Sequence, residues 1–421
     1  MQPSSTIDSS GNLLMIVVDC LRLDRCPVDG AGTLGLKAWP RMRDGGTFFT
    51  QMVSSASWTP VCFASLLSGQ YPFVHGVRSL RGPAIEPSLP TIATVLKDAG
   101  YSTHGFLTGP MLEVLGMNRG FDEYQHRERD VYVHDGWGNS FMKRFDEICQ
   151  ASRPWFVLLH LFEIHYPPQT NGLPAKKHSI RQYDLAWQQL DLWLADLLDR
   201  TPSNTLVSLT GDHAETVVRR SDRRIAGHVY RKLREHFKLP RRVSDWRRHG
   251  YHVFDDIIRI PWAVSGPSVP KDKVINQPVR QVDIAPTVLE LLGHTMPPKT
   301  HGRSVAAMLR GETMPEEAAY IVSGTSDPRR DWHGLRKDGW KYAEHPRSGD
   351  NIDPEAMLFD LRNDPQERRN VISRNPSIAL EMRQYIDRLI HSGSESEQAG
   401  QDLDDEDQAK LTDQLKALGY I

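Results

Sequence analysis

The chain alternates between short, mainly apolar runs and longer segments in which apolar residues recur every three or four positions. The runs at residues 12–18, 155–162, 205–211 and 257–264 are the length of single strands, and mainly apolar runs of this length are typical of strands buried on both faces. Helical periodicity marks residues 181–200 and the segment that ends at Gly100, where the glycine is a helix stop. The pattern therefore predicts strands that alternate with helices.

This alternation predicts an α/β fold with a mostly parallel sheet covered by helices on both faces. In such sheets functional residues gather at the carboxyl ends of the strands. Asp19, His165 and the pair Asp212–His213 each follow a predicted strand directly. We therefore expect these side chains to converge on one site.

Composition and charge exclude few function classes. The chain has 421 residues, of which 39% are hydrophobic and 25% charged, and its formal net charge is −2; this balance gives no indication of nucleic acid or a membrane as partner. The four cysteines show no paired spacing, and no stretch approaches the roughly 18 apolar residues of a membrane span. Because the N-terminus lacks a basic segment followed by a long apolar run, we predict a cytoplasmic protein with reduced thiols and no membrane anchor.

One segment breaks the α/β pattern. Residues 216–248 contain twelve Arg and Lys against three acidic residues, with weak hydrophobic periodicity. A solvated surface excursion is one interpretation, and a lid that selects polyanionic substrates is another. Nucleic-acid binding is a third, which the scarcity of interleaved aromatic residues disfavours.

The strand-end residues suggest a metal site. Asp19, Asp212 and His213 offer carboxylate oxygens and imidazole nitrogen, a donor set that suits Zn²⁺ or Mn²⁺ better than Ca²⁺. The alternative is that each aspartate caps the helix that follows it.

Thr59 is the candidate nucleophile among several hydroxyl and thiol groups in residues 55–68. Pro60 and the apolar spacing after it predict a helix start with Thr59 as the N-cap. Capping alone would explain the residue, but a hydroxyl beside a metal at the positive end of a helix dipole is also one that can be activated. Cys62 falls inside the predicted helix, where burial as a small apolar residue is the default.

The order of several segments resembles that of the sulfatases and of the metal-dependent phosphohydrolases of the alkaline phosphatase superfamily. The segments are LLMIVVDCLRLD, WTPVCFASLLSGQYPFVHGV, HLFEIHYPP, TGDHAE, HGYHVFDDIIRIPWAVSGP, VDIAPTVLELLG and LFDLRNDPQERRNV. The resemblance implies a sandwich with a large mostly parallel sheet and a smaller C-terminal α+β subdomain. It suggests a catalytic domain at 1–311, with 216–248 as its basic insertion, and a C-terminal subdomain at 312–394. Residues 395–421 would be an acidic mobile segment and a terminal docking helix.

The resemblance also implies roles for individual residues. It makes Asp19, Asp212 and His213 metal ligands and places Thr59 in the nucleophile position. Sulfatases carry Cys or Ser there for conversion to formylglycine, which threonine cannot form. A threonine is similar to that of the nucleotide pyrophosphatase/phosphodiesterases and the phosphoethanolamine transferases of the same superfamily.

Four further residues complete the predicted site. His165 and His249 match family histidines that contact the transferred group or the leaving group, or complete a second metal site. Both are also candidates for protonating a leaving oxygen. Arg78 and Thr108 are predicted to bind substrate, as are His165 and His249.

Several positions depart from the sulfatase pattern. Pro60 lies one place before the family's proline, where Val61 stands instead, and Leu80 replaces an asparagine. Cys20 stands where many sulfatases have a second aspartate ligand, Phe63 replaces an Arg or His beside the nucleophile, and Glu163 replaces an aspartate.

The leading hypothesis is a metal-dependent hydrolase of phosphomonoesters, phosphodiesters or phosphonate esters, with a covalent phospho-threonine intermediate. The alternatives are a sulfatase-like sulfoester hydrolase, a phosphoryl or sulfuryl transferase, and a catalytically silent anion-binding protein. We expect one or two ions of Zn or Mn, with Ca or Mg as alternatives, and a small anionic ester as substrate. Nucleic acid is not an expected partner, and a homo-oligomer is left open.

Overall fold

The computed structural model describes residues 11–28, 34–128, 130–165, 167–170, 173–174, 179–217, 250, 252–298, 300–324, 331–345, 356–394 and 402–417. Its strands are β1 (Asn12–Val18), β2 (Gly46–Val53), β3 (Ser102–Thr108), β4 (Glu123–Arg127), β5 (Trp155–Leu161), β6 (Gln169–Thr170), β7 (Leu173–Pro174), β8 (Thr205–Gly211), β9 (Arg259–Ser265), β10 (Lys273–Ile275), β11 (Val279–Arg280), β12 (Ala319–Val322), β13 (His333–Lys337), β14 (Trp340–Glu344) and β15 (Ala356–Asp360).

Helices connect these strands and cover their faces. The α-helices are α1 (Ala38–Asp44), α2 (Thr59–Ser68), α3 (Pro72–His75), α4 (Ile92–Asp98), α5 (Gly136–Cys149), α6 (Ile180–Arg200), α7 (Asp255–Ile258), α8 (Ile284–Leu291), α9 (Ala306–Leu309), α10 (Pro376–Ser394) and α11 (Asp405–Ala417). Short 3-10 helices lie at Leu23–Arg25, Glu113–Leu115, Gln281–Asp283 and Ile372–Arg374. In the described parts of the chain, no helix is long and apolar enough to cross a membrane.

Nine of the described strands form one large sheet. Its order is β10-β2-β9-β8-β1-β5-β3-β4, and β11 pairs with β2. The strands β8, β1, β5, β3 and β4 run parallel to one another, whereas β9 is antiparallel to both β8 and β2. The predicted mostly parallel α/β sheet is confirmed. The predicted strand at 257–264 is confirmed as β9, but its antiparallel direction was not foreseen, and neither were the strands β2 and β4.

The central strand β1 divides its side chains between two hydrophobic cores. One core lies against α2, α4 and α8, and the other against α1, α5 and α6. The apolar side chains of β1 enter these cores alternately and are fully buried: Leu13, Met15 and Val17 on one face, Leu14, Ile16 and Val18 on the other. Each such side chain contributes about 1.5–3 kcal/mol on burial, so β1 is held rigidly and the residue that follows it is precisely placed.

A second sheet lies against the first. It is antiparallel in the order β12-β13-β14-β15, with α10 packed on β13 and β14. A β-bridge joins Ala56 to Val322, and the Ser57 amide donates to the Val322 carbonyl at 3.2 Å. The small sheet thus fixes the segment that immediately precedes Thr59. In α11, Leu411 and Leu415 are buried in the same core as α2.

Candidate active site

Two aspartates lie side by side at the carboxyl edge of the large sheet. Val18 at the end of β1 pairs with Gly211 at the end of β8, so the next residues, Asp19 and Asp212, are neighbours. Both carboxylates are fully buried. We call Asp19 and Asp212 the carboxylate pair.

Asp212 is held through one of its two oxygens. Its Oδ1 accepts hydrogen bonds from the backbone N–H groups of His213 (2.7 Å) and Cys20 (3.1 Å). Its Oδ2 makes no hydrogen bond with any described residue and lies 3.5 Å from His213 Nε2. Burial and the charge of Asp19 raise the pKa of Asp212, because two carboxylates cannot both ionise cheaply in one dry site.

The Thr59 hydroxyl faces the carboxylate pair. Its Oγ1 lies 3.0 Å from Asp19 Oδ2 and 3.3 Å from His213 Nε2. The expectation that Thr59 is the N-cap is wrong by one position: Trp58 is the N-cap and Thr59 the first residue of α2. The partners of the Thr59 hydroxyl are thus Asp19 and His213.

His160, which the sequence analysis did not single out, lies on the other side of Asp19. Its Nδ1 is 2.8 Å from the Thr108 carbonyl, and because a carbonyl only accepts, Nδ1 carries the hydrogen. Its Nε2 then faces Asp19 Oδ2 at 3.6 Å. Two acceptors at this distance require a proton or a cation between them. The one signal in the sequence is a polar residue inside the otherwise apolar run of β5.

Of the two histidines predicted for the site, His165 is among the described residues and His249 is not. His165 follows β5, is 8% exposed and stacks on Phe162 with ring centroids 4.1 Å apart. Burial alone would raise the pKa of Asp19, but the charge of His165, with those of His160 and His213, lowers it; His165 therefore lies within electrostatic reach of Asp19. His249 lies outside the described residues, as does the basic segment from residue 218 onwards.

Cys20 combines an unusual backbone conformation with a position beside the carboxylate pair. Its φ is +63°, a left-handed conformation that is uncommon for a residue with a side chain. Its Sγ lies 3.9 Å from His213 Nδ1 and 4.0 Å from Glu215 Oε2. Burial and the charges of Asp19 and Glu215 raise the pKa of the thiol well above its usual value.

The contacts of Thr108 and Arg78, the two further residues predicted to bind substrate, are with other parts of the protein chain. The Thr108 hydroxyl is buried and donates to the Arg127 carbonyl at 2.9 Å, while its own carbonyl orients His160. Arg78 is half-buried; burial lowers the pKa of His75 and His333, and the charge of Arg78 adds to the lowering of both. Substrate binding by either residue stays a prediction.

Two residues that depart from the sulfatase pattern have structural contacts. Glu163 forms a buried ion pair with Arg127, with Oε1 2.6 Å from Nη1, and that attraction outweighs burial and lowers its pKa. Phe63 packs edge-on against His160 with ring centroids 4.7 Å apart. Cys62 is fully buried, and its thiol donates to the Ala56 carbonyl at 3.2 Å.

The described residues fit a divalent cation. Ligand atoms lie within 4.8 Å of one another in two buried groups, Asp19–Cys20–His213 and Asp19–His160–Asp212. Asp19 Oδ1 and Asp212 Oδ2 are buried and make no hydrogen bond with any described residue, which is costly unless a cation neutralises them. The donors are oxygen, nitrogen and sulfur, a mixture that suits a transition metal.

Two protein-family models match the chain. The model described as Sulfatase matches residues 12–294, a segment that includes Asp19, Thr59, Asp212 and His213. The model described as N-sulphoglucosamine sulphohydrolase, C-terminal, matches residues 247–392.

Curated relatives are similar over part of their length. The chain is 24% identical over 315 residues to the Delta 4,5-hexuronate-2-O-sulfatase of Bacteroides thetaiotaomicron, which covers 70% of this chain and 53% of that protein. It is 29% identical over 150 residues to Homo sapiens arylsulfatase K, which covers 33% of this chain and 27% of that protein. The matches thus span about half of these relatives, or less.

Solved structures share the fold. A 2-O GAG sulfatase superposes with a TM-score of 0.67 at 18% identity, covering 95% of this chain and 96% of that one. The phosphonate monoester hydrolase of Agrobacterium radiobacter superposes with a TM-score of 0.68 at 16% identity, covering 91% and 96%. With a family model that matches from β1 through α8, the chain belongs to the sulfatase family.

Proposed function

We propose that this protein is a metal-dependent hydrolase of phosphate esters that uses Thr59 as its nucleophile. The observation that carries the proposal is the position of the Thr59 hydroxyl, 3.0 Å from Asp19 Oδ2 and 3.3 Å from His213 Nε2. Thr59 stands where sulfatases need a residue that converts to formylglycine, and threonine lacks that route. A hydroxyl that attacks directly and carries the transferred group fits phosphoryl transfer.

The metal would be held by Asp19, Thr59, Asp212 and His213, with Zn or Mn as the ion. When bound, it supplies positive charge that lowers the pKa of the hydroxyl and neutralises the transferring group. His160 would support the site from beside Asp19, since the hydrogen bond to the Thr108 carbonyl fixes the tautomer and orientation of its ring.

The chain's own groups account for the two half-reactions. Thr59 Oγ1 gives up its proton to solvent and attacks phosphorus; the Thr59–phosphorus bond forms as the bond to the leaving oxygen breaks. His165, in its protonated form, gives its proton to that oxygen. In the second half, neutral His165 takes a proton from water, which attacks phosphorus. The Thr59–phosphorus bond then breaks, and Thr59 recovers a proton from solvent.

A sulfate ester is the second candidate substrate, because the curated relatives are sulfatases. Turnover of aryl phosphate, phosphodiester, phosphonate and aryl sulfate esters by the metal-loaded protein separates the two. We expect turnover of a phosphorus ester and its loss in Thr59→Ala with metal still bound. Thr47→Ala removes an equally buried hydroxyl that bonds only a backbone carbonyl and should keep activity. Turnover of aryl sulfate alone would overturn the choice of ester, and undiminished turnover by Thr59→Ala would overturn the choice of nucleophile.

A further inference from the structure

Cys20 is fixed through its backbone in a conformation that is strained for a residue with a side chain. At φ +63°, its N–H donates to Asp212 Oδ1 at 3.1 Å, and its carbonyl accepts from the Tyr183 hydroxyl at 2.8 Å. A glycine would adopt this conformation without strain. The position instead carries a thiol, which lies among ionisable groups.

The surroundings of this thiol are those of a ligand. One donor atom each from Asp19, Cys20 and His213 lies within 4.8 Å of the others, and all three residues are buried. Asp19 also belongs to the second group, with His160 and Asp212. Its Oδ1 is buried and has no hydrogen-bond partner among the described residues, which is an independent sign that a positively charged ligand belongs at Asp19, the neighbour of Cys20 in the chain.

We propose that Cys20 Sγ is a direct ligand of the metal ion, with Asp19 and His213, and that this sulfur makes the site select zinc-type ions over Ca²⁺, Mg²⁺ or Mn²⁺. The proposal rests on the metal site of the proposed function but not on its substrate. On binding, the sulfur–hydrogen bond gives way to a sulfur–metal bond and the proton leaves to solvent. Thiolate is a soft ligand that favours Zn²⁺, whereas Ca²⁺ and Mg²⁺ take oxygen ligands.

Cobalt substitution tests the sulfur–metal bond directly. The full chain is stripped with a chelator and reloaded with Co²⁺, and absorption is recorded for wild type, Cys20→Ser and Cys62→Ser. We expect a near-ultraviolet thiolate-to-cobalt charge-transfer band in wild type and in Cys62→Ser, whose equally buried thiol bonds the Ala56 carbonyl. The band should be absent in Cys20→Ser. A wild-type protein that binds cobalt without the band, binds no cobalt, or shows a band unchanged in Cys20→Ser would overturn the proposal.

A second variant keeps the test valid if the serine protein fails to fold. Cys20→Asp restores a charged ligand but replaces sulfur with oxygen, and circular dichroism confirms that it is folded. By competition with a chelator, its preference for Zn²⁺ over Mn²⁺ should fall by at least about tenfold. An unchanged preference would contradict the proposal. A charge-transfer band without phosphoester turnover would contradict the proposed function but not the sulfur ligand. Turnover without the band would contradict the sulfur ligand but not the proposed function.

Discussion

Two groups of buried carboxylates in this protein are neutralised in different ways. The carboxylate pair at the active site has no lysine or arginine in contact among the described residues, and its polar neighbours include Thr59, His160 and His213. The second group, which we call the junction cluster, consists of Asp255, Lys341 and Glu367. It joins α7 to β14 of the small sheet.

The junction cluster carries its own cation. Lys341 is fully buried, and its Nζ lies 2.8 Å from Asp255 Oδ1 and 2.9 Å from Glu367 Oε1. The Asp255 N–H also donates to Glu367 Oε2 at 2.7 Å. In the junction cluster, the buried carboxylates join α7 to the small sheet, and the chain itself supplies the lysine that neutralises them. At the active site it leaves two carboxylate oxygens directed at a position that suits a metal ion.

The largest effect should come from Asp212→Asn, which breaks the active-site half of this comparison. Removing one ligand charge should lower turnover by at least about 10³-fold, since metal stabilisation of the transition state is worth several kcal/mol. The substitution also removes one of two like charges buried side by side. After chelator treatment, the free energy of unfolding of the variant should therefore be about 1 kcal/mol higher than that of wild type. Turnover and urea unfolding measure the two effects. A variant less stable than wild type under chelator would contradict the view that the carboxylate pair needs a cation.

Lys341→Met breaks the other half. Removing this buried cation leaves Glu367 without its ion-pair partner and leaves Asp255 only Arg336, whose Nε lies 3.7 Å from Asp255 Oδ2, so the free energy of unfolding should fall by about 3–5 kcal/mol. Urea unfolding gives the value. Lys337→Met, which removes a surface partner of Asp338, is the matched control and should change stability by less than about 1 kcal/mol. Equal effects at both lysines would mean that the junction cluster is not a stabilising ion group.

Glu367→Gln sharpens the comparison through pH. Burial raises the pKa of Glu367 from 4.5 to about 7, although the attraction to Lys341 opposes it. The folded state therefore binds a proton that the unfolded state has released, and stability falls as pH rises from 4.5 towards 7. The glutamine variant should lack this fall, which amounts to about 3 kcal/mol at 1.4 kcal/mol for each pKa unit. Thermal unfolding across this pH range checks the prediction, and parallel curves for the two proteins would contradict it.

The smallest effect concerns His160, which supports the active-site half. His160→Phe keeps an aromatic ring beside Phe63 but removes the ring nitrogen that faces Asp19. Metal affinity should therefore fall by about 10- to 100-fold. Chelator competition measures the affinity. His104→Phe, a histidine on β3 that pairs with Glu123, should leave it unchanged, and similar losses in both variants would show a general effect of the substitution.

The sequence was sufficient for the strands that carry the site and insufficient for the contacts across it. Mainly apolar runs located β1, β5 and β8, and parallel pairing then predicted that Asp19 and Asp212 converge. Strand β4 was missed because its residues, EYQHR, form no apolar run, and all but Arg127 are at least partly exposed at the sheet edge. His160 was missed because its role depends on the Thr108 carbonyl, 52 positions away. No local sequence pattern predicts the junction cluster, because its three residues come from three separate segments of the chain.

The most direct test of the central claim is to trap the covalent intermediate. The metal-loaded protein is quenched with acid during turnover of an aryl phosphate, and the peptide that contains Thr59 is examined by mass spectrometry. We predict a phosphoryl group on Thr59 in wild type, and neither the modification nor turnover in Thr59→Ala. An unmodified Thr59 together with undiminished turnover by Thr59→Ala would contradict the account.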